Sequence, residues 1–110
     1  MQQLKTRDEV DAAFRDPLAV VYKHSSRCPL SSDAYAEVSE FARAADVPVY
    51  VIDVIASRPL SLYVSERSSV THQSPQVIVV QHGICAWHAS HHRVSANALR
   101  NQVDTLRGAN

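Results

Sequence analysis

The 110-residue sequence has no excess of charge of either sign, Lys+Arg and Asp+Glu standing at 11 each. A neutral chain without a basic stripe lacks the electrostatic footprint of a nucleic-acid binder or of a protein drawn to an anionic membrane. Long hydrophobic runs are missing too. No stretch reaches membrane-spanning length, and Lys5, Arg7, Asp8 and Glu9 precede any apolar segment, so the expectation is a cytoplasmic protein without a signal peptide. Cysteine is scarce. Cys28 and Cys85 lie far apart, without the close spacing of a zinc site or a disulfide framework, which makes a reduced thiol the default. Repeats, low-complexity tracts and linkers are absent as well. The length, with 45% apolar and 20% charged residues, fits one soluble globular domain over residues 1–110.

What is present is organised around His24-Ser25-Ser26-Arg27-Cys28-Pro29-Leu30-Ser31. Upstream, Leu18-Ala19-Val20-Val21-Tyr22-Lys23 is a short, β-branched apolar run that reads as a buried strand. Downstream, Leu30, Ala34, Val38 and Phe41 recur at helical spacing, with Asp33, Glu37, Glu40 and Arg43 on other faces. Pro29 suits the first helical position, because its missing N–H is unpaired there anyway, and this makes Cys28 the expected N-cap. A helix N-terminus offers free N–H groups and the positive end of the peptide dipoles, so it favours a thiolate. Such placements lower a cysteine pKa from about 8.5 to between about 3.5 and 7.5, and the thiolate is the nucleophile. Arg27 adds positive charge, and the Ser31 hydroxyl, one turn on, can donate to sulfur. The competing reading is a buried structural cysteine, the commoner fate of a lone Cys.

In chain order, Thr6 and Glu9 form a capping-box pattern for a first helix over residues 5–15, which Asp16-Pro17 ends. The strand 18–23, the turn at Cys28 and a helix from Pro29 to about Ala45 follow. Asp46-Val47-Pro48 then leads to a strand at 49–54, apolar on both faces as a central strand would be. Strand, helix, strand makes a right-handed βαβ unit and puts Cys28 at a strand's carboxyl end, where open α/β sheets bind ligands. Ser57 is the expected cap of a third helix, with Pro59 in its first turn and Leu60, Leu62, Tyr63 and Val64 as its apolar face. After a polar loop at 69–74 comes Pro75, then an antiparallel hairpin of strands 76–81 and 84–88 around His82-Gly83. Ser95 caps a last helix that Gly108 ends.

This order resembles the thioredoxin fold: an α/β architecture with a central mixed sheet of about four strands, helices on both faces, an extra N-terminal helix, and no optional first strand. Pro75 stands where that fold has a proline before its third strand. By that resemblance the Ser74-Pro75 peptide is cis and faces Cys28, with the Ser74 main chain left to pair with a bound disulfide ligand. A dithiol enzyme needs a second cysteine three residues after the first, and Ser31 occupies that place, which leaves monothiol chemistry.

The stretch Tyr22 to Ser31, with Ser74-Pro75-Gln76 and His82-Gly83, resembles the monothiol bacilliredoxin family, or YtxJ-like group, which reads Lys-His-Ser-x-x-Cys-Pro-Ile-Ser. Leu30 replaces the isoleucine, and Arg27 stands where threonine is common. The resemblance implies a cytosolic thiol-disulfide oxidoreductase in which Cys28 removes bacillithiol, a small thiol bearing malate and glucosamine, from S-thiolated client proteins. No cofactor is expected, bacillithiol being substrate or co-substrate, and no nucleic acid or membrane is expected as partner. Two other readings stay open: a monothiol glutaredoxin-like iron–sulfur carrier, against which Pro29 weighs because those sites read Cys-Gly-Phe-Ser, and a non-catalytic interaction module.

Lys23, His24 and Arg27 are candidates to receive the malate carboxylates, each against a solvated-charge alternative. His24 can instead orient the turn or tune the thiolate, and Ser25 and Ser26 can simply satisfy loop backbone. Cys85, in an alternating strand, reads as a buried spectator, and a bond to Cys28 would make the enzyme a dithiol one. His88, His91 and His92 have spacing that could suit a metal, but nothing nearby completes a four-ligand shell, so no metal is expected. Asp53 either assists proton movement near sulfur or caps the next turn.

Overall fold

The computed structural model describes residues 1–27 and 29–108. Among the described residues the strands and α-helices run in the order β1 (Gln2–Gln3), α1 (Arg7–Phe14), β2 (Leu18–His24), α2 (Pro29–Ala44), β3 (Val49–Asp53), α3 (Arg58–Ser68), β4 (Gln76–Gln81), β5 (Ile84–Ser90) and α4 (Ala96–Gly108). The sheet order is β1-β3-β2-β4-β5. β2 lies parallel to β3 and antiparallel to β4, and β4 lies antiparallel to β5.

β2 is the middle of the sheet, and its first six residues are buried. Side chains alternate across a strand, so its apolar residues divide between two cores. Leu18, Val20 and Tyr22 pack with Ala34, Val38 and Phe41 of α2 and with Ala96, Leu99 and Val103 of α4. Val21 joins Val10, Ala13 and Phe14 of α1, Leu60 and Val64 of α3, and Ile52, Ile78 and Val80 from the neighbouring strands. Helices thus cover both faces. Each such fully buried Val, Leu or Phe contributes about 1.5–3 kcal/mol relative to an exposed one.

Local chemistry sets the element ends. Thr6 Oγ1 accepts from Glu9 N at 3.1 Å while Glu9 Oε1 accepts from Thr6 N at 3.1 Å, so α1 begins on a complete capping box. Ser95 Oγ accepts from Ala98 N at 3.1 Å, and Glu37 of α2 accepts from Ala96 N at 2.9 Å, which ties α4 to α2. His82 and Gly83 have φ of 52° and 80°, the two positive values that a tight hairpin turn requires.

Four expectations need correction. The sheet has five strands rather than about four, because Gln2 and Gln3 pair in parallel with Tyr50 and Val51. Two exposed glutamines carry no hydrophobic signature. The ladder and the Leu4 N–H donated to Val51 O at 2.9 Å hold them, with the Leu4 side chain buried beside them. The middle strand is β2; β3 is interior, between β1 and β2, but both of its faces carry partly exposed residues. Ser57 occupies the N-cap position of α3 but makes no side-chain cap, while Asp53 Oδ1 accepts from Ile55 N and Ala56 N at 2.9 and 3.1 Å in the turn before it. Leu62 is exposed, and α3 buries Ser61 and Ser68 beside Leu60 and Val64, so its apolar stripe is narrower than the sequence suggested. Among the described residues no helix is long and apolar enough to cross a membrane.

Candidate active site

β2 ends at His24, a short turn follows, and α2 begins at Pro29. Cys28, the expected nucleophile, lies outside the described residues. Ser25 is buried, while Ser26 and Arg27 are exposed. Ser31, in the first turn of α2, is buried, and its Oγ accepts from Ser25 N at 3.3 Å. A hydroxyl that accepts still has its own proton to donate. The turn is thereby tied to the helix it precedes.

Beneath it, the Tyr22 hydroxyl donates to Ser31 O at 3.4 Å and lies 3.1 Å from His24 Nδ1. The His24 ring sits 5.0 Å from that of Tyr35, centroid to centroid. His24 is partly buried and engaged by Tyr22. That geometry suits an orienting role and takes one ring nitrogen away from any ligand.

Lys23 is not at the mouth, and the expectation that it meets a carboxylate there is overturned. Alternation places it on the opposite face from Tyr22 and His24. It is fully buried, with Nζ 2.6 Å from Ser65 Oγ of α3 and 3.0 Å from His72 Nδ1. Burial brings its pKa down to about 8. Of the three cationic positions named from the sequence, only Arg27 stands exposed.

The Ser74–Pro75 peptide bond is cis. The last antiparallel pair between β2 and β4 is Lys23 with Gln76, so one step further along the ladder Pro75 comes across from His24, at the carboxyl end of β2. Pro75 is buried, and its carbonyl accepts from His91 N at 2.8 Å. The Ser74 hydroxyl is buried and has no hydrogen-bond partner among the described residues.

The remaining candidates sit elsewhere. Cys85 is half-buried on β5 rather than fully enclosed, and burial pushes its thiol pKa up. It pairs with Val80, which pairs with Ala19, about 17 Å back along β2 from His24 at ~3.3 Å per residue. Asp53 serves the turn after β3. His88 is on β5, whereas His91 and His92 belong to a one-turn 3-10 segment beyond it. Among the described residues no three His, Cys, Asp or Glu side chains are grouped so as to hold a metal.

Sequence reasoning missed His72, Ser65 and Gln76. A lysine closing an apolar strand was the available signal, since a buried ammonium requires acceptors. Nothing in the sequence said which residues would supply them.

The profile described as monothiol bacilliredoxin BrxC matches residues 2–99. The chain belongs to the monothiol bacilliredoxin family. Among solved structures, one provisionally named an oxidoreductase with a thioredoxin fold is 27% identical over 92% of this chain and 91% of its own, with a TM-score of 0.86. Thioredoxin from Trypanosoma brucei brucei superposes with a TM-score of 0.78 at 12% identity, covering 96% of this chain and 89% of the other. Fasciola hepatica thioredoxin gives 0.73 at 18% identity, with 96% and 98% covered. The two thioredoxins establish the fold, and family membership establishes chemistry of the thiol-oxidoreductase kind.

Proposed function

We propose that this bacilliredoxin-family chain removes bacillithiol, or a closely similar small thiol, from protein mixed disulfides in the cytoplasm, with Cys28 as nucleophile. The observation that carries this reading is the family match across a Cys28-Pro29-Leu30-Ser31 site whose proline opens α2 at the carboxyl end of the central strand. In the first step the Cys28 thiolate attacks the small-molecule sulfur. The old S–S bond breaks, the client cysteine leaves as thiolate and takes a proton from water, and the small thiol is now bonded to Cys28. In the second step the thiolate of another small-thiol molecule attacks the same sulfur. Cys28 leaves as thiolate, and the small-thiol disulfide departs. No second protein cysteine is needed.

The opening turn of α2, which Pro29 starts without an N–H of its own, favours the thiolate through the free N–H groups that follow, and exposed Arg27 adds positive charge and a fork suited to a carboxylate. Ser31 holds the turn and supports sulfur with its remaining proton. The Ser74 main chain beside Pro75 pairs with the bound disulfide. His24 keeps Tyr22 and the turn in place. The partners are S-thiolated client proteins and the regenerating thiol.

Intact mass after incubation with bacillithiol disulfide, and in parallel glutathione disulfide, tests this. One bacillithiol adduct is expected on wild type and on Cys85→Ser, and none on Cys28→Ser. Preference for glutathione disulfide would replace the substrate. An unmodified Cys28 would overturn the catalytic reading, and a two-proton mass loss requiring Cys85 would overturn the monothiol one.

A further inference from the structure

The face of the sheet that meets α3 carries a polar row where an apolar one is the rule. Lys23 of β2, Gln76 of β4 and Ser90 of β5 are paired in register. Lys23 and Gln76 are each no more than 1% exposed. Their hydrogen bonds run into the segment between α3 and β4. Gln76 Nε2 donates to Thr71 O at 3.0 Å and to Ser90 Oγ at 3.3 Å. Lys23 Nζ lies 3.0 Å from His72 Nδ1 and 2.6 Å from Ser65 Oγ, and Val70 N donates to Ser65 O at 3.3 Å. Among the described residues no carboxylate lies within ion-pair distance of the Lys23 ammonium. A methionine would fill the same space without a charge to desolvate, so lysine here serves the groups it holds.

We propose that Lys23 is a positioning residue that latches the segment carrying Ser74 and Pro75 onto the sheet through neutral His72, and that protonation of His72 opens the latch. An ammonium has only donors, so His72 must present an unprotonated Nδ1 to it. A proton on that nitrogen removes the acceptor and sets a second cation 3.0 Å from the first. The charged groups facing His72 are Lys23 from β2 and Arg58 from α3, both positive; β4 offers the neutral Gln76. Burial, then Lys23, then Arg58, hold the His72 pKa below its usual 6.5. Between that value and about 8, where Lys23 begins to lose its own charge, the latch is closed. The consequence for turnover rests on the proposed role of Ser74 and Pro75 in holding the disulfide. The latch itself does not.

The test compares wild type, His72→Gln and Lys23→Met in the full chain. Glutamine keeps an acceptor for Lys23 but cannot titrate; methionine removes the donor. Exchange protection of the Val70 amide, corrected for intrinsic rate, is expected to fall about tenfold in wild type between pH 7.5 and 5, as loss of one charge-assisted hydrogen bond implies. His72→Gln should stay protected at both pH values, and Lys23→Met should be unprotected at both while β2 amides remain protected. In parallel, KM for a bacillithiolated client should rise at low pH in wild type but not in His72→Gln, while kcat falls equally in both as the attacking thiols become protonated. Identical pH dependence in wild type and His72→Gln would overturn the latch, and that comparison stands even if Lys23→Met fails to fold. Exchange that behaves as expected in a protein that turns over no mixed disulfide would uphold the latch and overturn the proposed function. Normal turnover with pH-independent protection would do the reverse.

Discussion

Two neighbouring residues of one strand show how differently the two faces of the sheet serve the same site. On the α2 face, Tyr22 and His24 reach towards the start of α2, and Ser31 fastens the turn at Ser25. On the α3 face, Lys23 reaches away from that helix and holds the segment leading to Pro75 through His72. Both segments that frame Cys28 in the proposed reading are therefore fixed by the end of β2, but from opposite sides and with opposite chemistry. The first side uses the hydroxyls of Tyr22 and Ser31 and the tilted rings of His24 and Tyr35. The other sets a buried cation against an imidazole. A single strand can thus hold the two walls of a site by different means, hydroxyls on one face and a cation–imidazole contact on the other.

Substitutions on the two faces separate these roles. The largest expected effect is on the α2 face. Ser31→Ala leaves the buried Ser25 N–H without its acceptor, so stability falls by about 1–3 kcal/mol in urea unfolding. Adduct formation at Cys28 should slow while KM for the disulfide changes little; an unchanged rate would remove Ser31 from the account of the thiolate. The α3 face shows itself next, in the dependence of stability on pH. Lys23 titrates near 8 folded and at 10.5 unfolded, so the unfolded chain binds the extra proton between those values and stability rises with pH across that window. After allowance for screening the rise is of order 1 kcal/mol, and Lys23→Met should abolish it. His72 has the same sign at lower pH: its folded pKa is depressed, so stability falls as pH drops through 6.5 and levels off below the folded value. His72→Gln should flatten that limb alone. The smallest effect belongs to Arg27, exposed on the turn. Arg27→Ala should leave stability within about 0.5 kcal/mol and raise KM for the anionic disulfide by a few-fold at low salt, a difference that salt erases.

Much of this was legible in the sequence. The β-branched run of β2, the Thr6/Glu9 box, Pro29 at the start of α2 and His82-Gly83 at the hairpin are local signals, each decided by a residue's own conformational preference. The misses needed tertiary information. β1 is two glutamines held by a partner strand. Ser57 has the right residue type and the N-cap position, but its side chain makes no cap hydrogen bond. Closeness in sequence groups Lys23 with His24 and Arg27, although strand alternation alone sends it to the other face. That much could have been inferred. His72, in a polar loop nearly fifty residues away, could not, because only the loop's path over the sheet brings it to Lys23.

The central claim is that the thiol at the start of α2 takes a small thiol from a client protein without a second cysteine. A purified client carrying one bacillithiol, mixed with wild type, Cys28→Ser or Cys85→Ser and followed by intact mass of both proteins, tests it most directly. The account predicts that the client loses the adduct as Cys28 gains it, equally in wild type and Cys85→Ser and not in Cys28→Ser. A client that keeps its adduct in the presence of wild type, or loses it equally to Cys28→Ser, would contradict the account.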